Sequence, residues 1–323
     1  MASLSKARDG SLQYWPRKRV RKVLPRVNWE ALQKKEEDKI LGFLCYKVGM
    51  KSALVKDNTP ESLTKGKNII LPITILEVPP MKIFSIRFYK NKKIIKEILN
   101  ENLDKELKRK VKIPKEKKKI DLNKEFEEIK KEIDDIRIIV YSNVKKTGIK
   151  KTPDILEIGL NGSLEEKINF IKEYLNKDIC IGDFLKINQT VDVRGITKAY
   201  GTAGPVKRFG ISLRQHKSEK GVRRPGSLGP WKPSHVTFRT PMAGQLGYFH
   251  RSVYNLKVLD IGKIEQKDIN PKGGFEHFGK IRTNYVIIKG SVPGNEKACL
   301  ILTLPLRENK KSRKENYQLI KII

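Results

Sequence analysis

Between residues 191 and 257 the chain carries thirteen basic side chains against two acidic ones, Asp192 and Glu219, a net of +11 in 67 residues that also hold nine glycines. From residue 201 to 250 neither the 3.6-residue period of an amphipathic helix nor the two-residue alternation of a strand persists beyond a few positions. A structureless stretch of that length inside a domain is either functional or disordered. Its aromatic residues, Tyr200, Phe209, Trp231, Phe238, Tyr248 and Phe249, argue against disorder, because disordered segments are poor in such rings. Ordering a backbone costs ~1–2 kcal/mol per residue. With few aliphatic side chains to bury, the stretch is expected to take a fixed shape only against a phosphate-rich partner. Charge neutralisation, ring stacking and close backbone approach at glycine supply what a private core does not.

The whole chain leans the same way: 69 Lys and Arg against 36 Asp and Glu, a net of +33, which makes a polyanion its expected surroundings. No apolar run reaches the ~20 residues of a membrane span, and the first ten residues hold no apolar leader. In the first 27 positions Lys6, Arg8, Arg17, Lys18, Arg19, Arg21, Lys22 and Arg26 face only Asp9, and Pro16 and Pro25 discourage a continuous helix. That arm offers no apolar face to a bilayer. Tyr14 and Trp15, beside Arg17, read as rings for stacking on bases. Structured RNA is favoured over duplex DNA, since nothing resembles a recognition helix, a zinc finger or a basic zipper.

Cys45, Cys180 and Cys299 stand far apart among apolar neighbours, without CxxC spacing, and read as buried, reduced thiols of a cytosolic protein. His216, His235, His250 and His277 lack HxxxH or HExxH spacing, and no GxxxxGK[ST] or GxSxG occurs. No catalytic residue, metal site or cofactor is expected. An RNA-processing enzyme would need a convergent acid/base pair or a cofactor loop, and the acids here are mixed with lysines along residues 90–135. A general nucleic-acid chaperone would differ in being exchangeable.

Short β-branched or aromatic runs predict strands at 42–49, 69–78, 83–89, 136–144, 155–159, 184–190, 258–264, 285–289 and 298–304. Pro72 predicts an edge or a bulge, and Val78-Pro79-Pro80-Met81 a corner between strands. Ile94, Ile95, Ile98, Leu103 and Leu107 suggest a solvated helix, and residues 122–133 a second one. Ser163, with Glu166 three residues on, predicts a capped helix to 175. Gly201-Thr202-Ala203-Gly204 fits either a phosphate clamp or a turn. The expected organisation is a basic N-terminal extension (1–36), a β body (37–89, 181–200 and 251–306), an α/β insertion (90–180), a central loop (201–250) and a basic surface tail (307–323).

Residues 224–236 (RPGSLGPWKPSHV) and 241–247 (PMAGQLG) resemble the central extension of the ribosomal large-subunit protein L-three family, archaeal and eukaryotic branch. Further pieces agree in family order over nearly the whole chain: residues 11–19 with PRKR, 42–50 (GFLCYKVGM), 79–81, 201–210 (GTAGPVKRFG) and 289–294 (KGSVPG). The resemblance implies a mainly β fold with an α/β insertion. Its body would be a closed six-stranded β-barrel of the translation-protein type, with long basic N-terminal and central extensions entering large-subunit rRNA. It implies a structural constituent of the large subunit that joins assembly early and brings its loop tip near the peptidyl transferase centre. Neighbouring ribosomal proteins are implied partners, elongation factors dock only nearby, and the place is the ribosome in the cytoplasm. By position Trp231 matches the family's tip tryptophan and His235 the nearby histidine. Glu219 stands where eukaryotic members can carry a methylated histidine, with His216 only nearby, so that modification is not carried over; nor is any residue equated with the modified glutamine of bacterial members. The expected rRNA-binding residues are Arg17, Lys18, Arg19, Arg21, Lys22, Arg194, Lys198, Lys207, Arg208, Arg214, Lys217, Arg223, Arg224, Trp231, Lys232, His235, Arg239, Gln245, His250 and Arg251.

Overall fold

Strand β1 (Gly42–Asp57) is buried at every position from Gly42 to Val48 and then settles into an in-out alternation. Its first half is covered on both faces, which is why it reads as an unbroken apolar run. The computed structural model describes residues 11–32, 39–114, 126, 127, 129, 130 and 132–323. Two units emerge from the contacts: Leu24–Gly195 with Ser252–Ile323, and Met1–Val23 with Ile196–Arg251.

In the larger unit β2 (Asn68–Val78) pairs with β1, and the Pro79-Pro80 corner turns the chain into a separate four-stranded sheet. That sheet, in the order β4-β3-β5-β6, is built from β3 (Met81–Lys90), β4 (Lys93–Leu99), β5 (Asp135–Ser142) and β6 (Ile155–Gly159). Helix α1 (Leu164–Tyr174) follows, started by the expected capping box: Ser163 accepts from Glu166 N–H and the Glu166 carboxylate accepts from Ser163 N–H. β7 (Thr190–Ile196) returns to the first sheet. After β8 (Ala199–Ala203) and β9 (Gly244–Gly247), the first sheet is completed by β10 (His250–Lys263), β11 (Asn284–Lys289), β12 (Cys299–Thr303) and β13 (Tyr317–Ile322). Its order is β12-β7-β10-β11-β2-β1-β13, and β1 also pairs with β12. The fold is mainly β with few helices among the described residues.

Side-chain alternation divides the core by face. Tyr285 and Ile287 on β11 join one apolar cluster with Ile73, Ile75 and Val55, whereas Val286 and Ile288 join a second with Phe43, Ile138 and Phe170. Trp29 anchors that second cluster. A Cβ added at Gly42 or at Gly159 would lie 2.7 Å from a Trp29 carbon, so both strands need glycine where the indole passes.

Several sequence expectations need correction. The helix expected around residues 94–107 is instead strand β4 followed by a short 3-10 turn, Lys105–Arg109. Asn91 (φ 48°) and Lys92 (φ 64°) form a two-residue left-handed turn that joins β3 to β4, and this local geometry overrides a weak helical spacing. As an edge strand, β4 leaves Ile94 and Ile95 exposed, which blurred its alternation. Of the expected 122–133 helix, Phe126, Glu127 and Ile129 are helical and half of the residues lie outside the described ones. Residues 184–189 form no strand: Phe184 and Leu185 anchor a turn in the core, and the strand starts at Thr190. The basic tail beyond Arg307 ends in a strand that was not expected: β13 adds to β1 with Asp57 opposite Tyr317. Pro72, by contrast, stands at a local edge as expected: it faces Ser52 of β1, but the β11 ladder ends one residue earlier at Ile73–Lys289, so its missing N–H lies beyond the last pair while its carbonyl accepts from Gly290 N–H at 2.8 Å.

The β1–β2 connection is tied by Asp57. Burial pushes its carboxyl up, but Thr59 N–H and the Thr64 and Ser62 hydroxyls donate to it and together hold it well below the usual carboxylate range. A folded pKa below the unfolded value of about 3.9 gives stability that is fully present above about pH 4 and fades as pH falls through the folded value. Asp57→Asn should therefore cost about 1–2 kcal/mol at pH 7 by urea unfolding, with the difference from the parent shrinking below pH 4. A difference that is constant with pH would contradict this.

Candidate nucleic-acid interface

In the smaller unit the basic stretch is not featureless at its root. β8 and β9 pair antiparallel with an irregularity between Ala199 and Thr202, where Gly201 turns left-handed at φ 62°. Gly204 then caps the short helix Pro205–Phe209, and Gly210 ends it in the left-handed region. Residues 201–204 are thus a bulged strand leading to a helix cap. At Gly247 (φ 74°) any Cβ would collide with the Lys198 carbonyl oxygen, so the β9 end accepts only glycine.

The arm packs onto that root within the same unit. The Trp15 ring lies 5.9 Å from Phe209 and 5.5 Å, edge-on, from Phe238. The Arg17 guanidinium sits over both Trp15 and Phe209 and donates to the Arg208 carbonyl at 3.0 Å. Val20 N–H donates to Tyr248 O at 3.1 Å and His250 Nε2 to Lys22 O at 3.0 Å. Trp15, expected to stack on bases, spends its ring on protein aromatics instead. Trp15→Ala removes two aromatic pairs, each worth ~0.5–1.5 kcal/mol. Trypsin cleavage after Arg17, Lys18, Arg19, Arg21 or Lys22 should accelerate roughly tenfold, and an unchanged rate would mean that these ring contacts do not hold the arm.

Cations converge on one cleft of about 420 Å³ whose lining includes Arg17, Lys198, Tyr200, Arg208, Phe249 and Arg251 and, among the described residues, no carboxylate. Arg208 donates from Nε to Gln245 O and from Nη1 to Met242 O, and Arg251 donates to His250 O while covering Tyr14 and Phe249. Burial pulls both guanidinium groups below their ordinary range, the expected strain of half-buried cations with no acidic partner among the described residues. Lys198 and Lys207 are exposed, with Lys207 4.5 Å from the Tyr200 ring centre, and Gln245 is half-buried on β9.

Beyond the root, residues 211–243 contain no strand or helix. Arg214, Lys217, Arg223, Arg224, Lys232, His235 and Arg239 are exposed there, and Trp231 is 90% exposed. Lys18, Arg19, Arg21 and Lys22 on the arm are exposed as well. Arg194 belongs to the larger unit, on β7, with its Nε 3.5 Å from Thr303 Oγ1. Two charges of the basic stretch serve the fold itself. Asp192 is buried and accepts from the Asn255 and Leu306 backbone, and Lys257 is buried and donates to Ser312 O and Arg313 O. Sequence reasoning missed Tyr200 and Thr197 as cleft residues; the one available signal was their place beside Lys198, immediately before the GTAG turn. Among the described residues no group of three His, Cys, Asp or Glu could hold a metal, and no helix is long and apolar enough to cross a membrane.

Known proteins match this chain over almost its full length. A family model described as Ribosomal protein L3 matches residues 1–322. The large ribosomal subunit protein uL3 of Methanocaldococcus jannaschii is 41% identical over 317 residues, covering 94% of this chain and 92% of that one. Its counterpart in Methanobrevibacter smithii is 40% identical over 314 residues, covering 94% and 93%, and that of Methanospirillum hungatei is 38% identical over 319 residues, covering 95% and 94%.

Proposed function

The chain belongs to the ribosomal protein L3 family, and from that premise we propose that it acts by threading fixed cations into large-subunit rRNA. It is a structural ribosomal protein of the large subunit, not an enzyme. The observation that carries the proposal is the exposed, acid-poor run of residues 211–243, which has neither regular structure nor an apolar core and presents Trp231 and nine cationic or imidazole side chains outward. Those groups suit phosphate and unstacked bases, the two features of irregular RNA. The arm's Arg17 to Lys22, together with Arg194, Lys198, Lys207, Arg208, Gln245, His250 and Arg251, completes the proposed contact set.

In this reading the six strands β1, β2, β11, β10, β7 and β12, whose pairings return to their starting strand, form the closed barrel of the body. The segment 90–180 is its insertion and 201–250 its RNA-penetrating loop. A loop that gains its shape inside RNA has to be in place before the RNA closes around it, which supports early entry into subunit assembly. The resemblance of residues 224–247 to the family's central extension supports a tip near the peptidyl transferase centre. Neighbouring ribosomal proteins are direct partners on this account, elongation factors dock only nearby, and the protein works in cytoplasmic ribosomes.

The test is sedimentation of large subunits assembled with the full chain. It should stay with the subunit through washing at about 1 M monovalent salt, where screening shrinks to about 3 Å, because enclosed residues leave only if the RNA opens. Release at moderate salt, with free exchange between particles, would point to a chaperone instead.

A further inference from the structure

We infer that the cleft lined by Arg17, Lys198, Tyr200, Arg208, Phe249 and Arg251 is a subsite for one unstacked ribonucleotide, its phosphate held by the cations and its base laid on the open face of Tyr200. This rests on the rRNA-binding reading and narrows it to one site and one kind of ligand. Three observations carry it. The cleft is of nucleotide-compatible size, about 420 Å³, and gathers four cations and two aromatic rings, whereas the hollow at residues 235–239 of the outer loop holds one arginine, one histidine and one ring. Among the described residues no carboxylate lines the cleft, and Arg208 and Arg251 are already fixed in place by the carbonyls of Gln245, Met242 and His250, so these two are preorganised for an anion. Tyr200 is 54% exposed and Lys207 occupies one of its faces, which leaves the other as a platform. The lowered affinity of the two guanidinium groups for their protons fits a site whose charge is uncompensated until an anion enters.

A cleft that takes a phosphate and a base face together distinguishes an unstacked nucleotide from a duplex, whose bases are hidden. The test measures binding of a fluorescein-labelled single-stranded pentauridylate, and of a duplex of equal length, to the full chain and its variants. An rRNA fragment is titrated into the same samples. The parent should prefer the single strand. Tyr200→Ala should cut single-strand affinity roughly tenfold and erase the preference, while Tyr200→Phe restores it. Lys198→Met should weaken both ligands and lower the magnitude of the salt slope by about one. Uridine monophosphate should displace the strand better than inorganic phosphate does. If Tyr200→Ala matches the parent on the single strand while both bind the rRNA fragment, the subsite is wrong and the rRNA reading stands. Equal displacement by inorganic phosphate overturns base recognition and leaves an anion site only. Failure of the parent to bind the rRNA fragment overturns the reading on which the subsite rests.

Discussion

Raising monovalent salt from about 50 to 200 mM should weaken binding of the isolated chain to an rRNA fragment about 10⁴- to 10⁵-fold, provided arm and loop neutralise about ten phosphates. The figure follows from counterion release. Each neutralised phosphate frees condensed cations, and log affinity then falls against log salt with a slope of about −0.7 to −0.9 per phosphate, so roughly −7 to −9 in all. The structure supplies enough candidates: Lys18, Arg19, Arg21 and Lys22 on the arm, Lys198 and Lys207 at the root, and Arg214, Lys217, Arg223, Arg224, Lys232 and Arg239 beyond it are all exposed. Asp192, one of only two acids in the basic stretch, is buried and engaged with backbone amides. A slope shallower than about −3 would mean that most of these cations stay in solvent in the complex.

The second large effect concerns the body. Trp29→Ala should destabilise the larger unit by ~3–5 kcal/mol, the cost of removing a buried aromatic and leaving its cavity. That is a large share of the 5–15 kcal/mol that typically holds a domain together. Trp29 is 3% exposed and fills the space between Gly42 and Gly159, whose missing side chains leave no other route for the ring. Trp231→Ala is the natural comparison, because at 90% exposure the ring touches little protein and its loss should move stability by less than ~0.5 kcal/mol. Chemical denaturation of the two variants side by side checks both numbers. Equal midpoints would contradict the contrast between a packed body and a loop whose ring touches little protein.

Sequence pattern alone located most of the body, for identifiable reasons. β1, β2, β3, β5, β6, β11 and β12 are β-branched or aromatic runs bounded by Gly, Pro or Asn, and the Ser163–Glu166 box has few alternative readings. Where expectation failed, a local signal was weak or carried two meanings. Ile94, Ile95 and Ile98 fit a helix face as well as a strand edge, and the decisive feature is the left-handed pair Asn91-Lys92. Phe184 and Leu185 are buried but stand in a turn, and hydrophobicity reports burial rather than backbone shape. β13 was hidden by the lysines and arginines before it, although Tyr317 and Leu319 alternate toward the core and Ile322 joins them past a bulge. At the interface, the charged residues were legible one by one but their grouping was not. A tryptophan beside arginines reads the same whether it awaits a base or packs on Phe209 and Phe238, as Trp15 does. Nor does a glycine-rich stretch reveal that residues 199–209 and 244–250 form a packed root while 211–243 stay exposed.

Hydrogen exchange on the full chain, stripped of nucleic acid and then refilled with rRNA, asks most directly whether a polyanion gives the loop its shape. Amides of residues 211–243 should exchange almost without protection in the stripped protein and become slow once rRNA is bound, while those of β8 and β9 stay protected throughout. Slow exchange across 211–243 before any RNA is added would contradict the account at its centre.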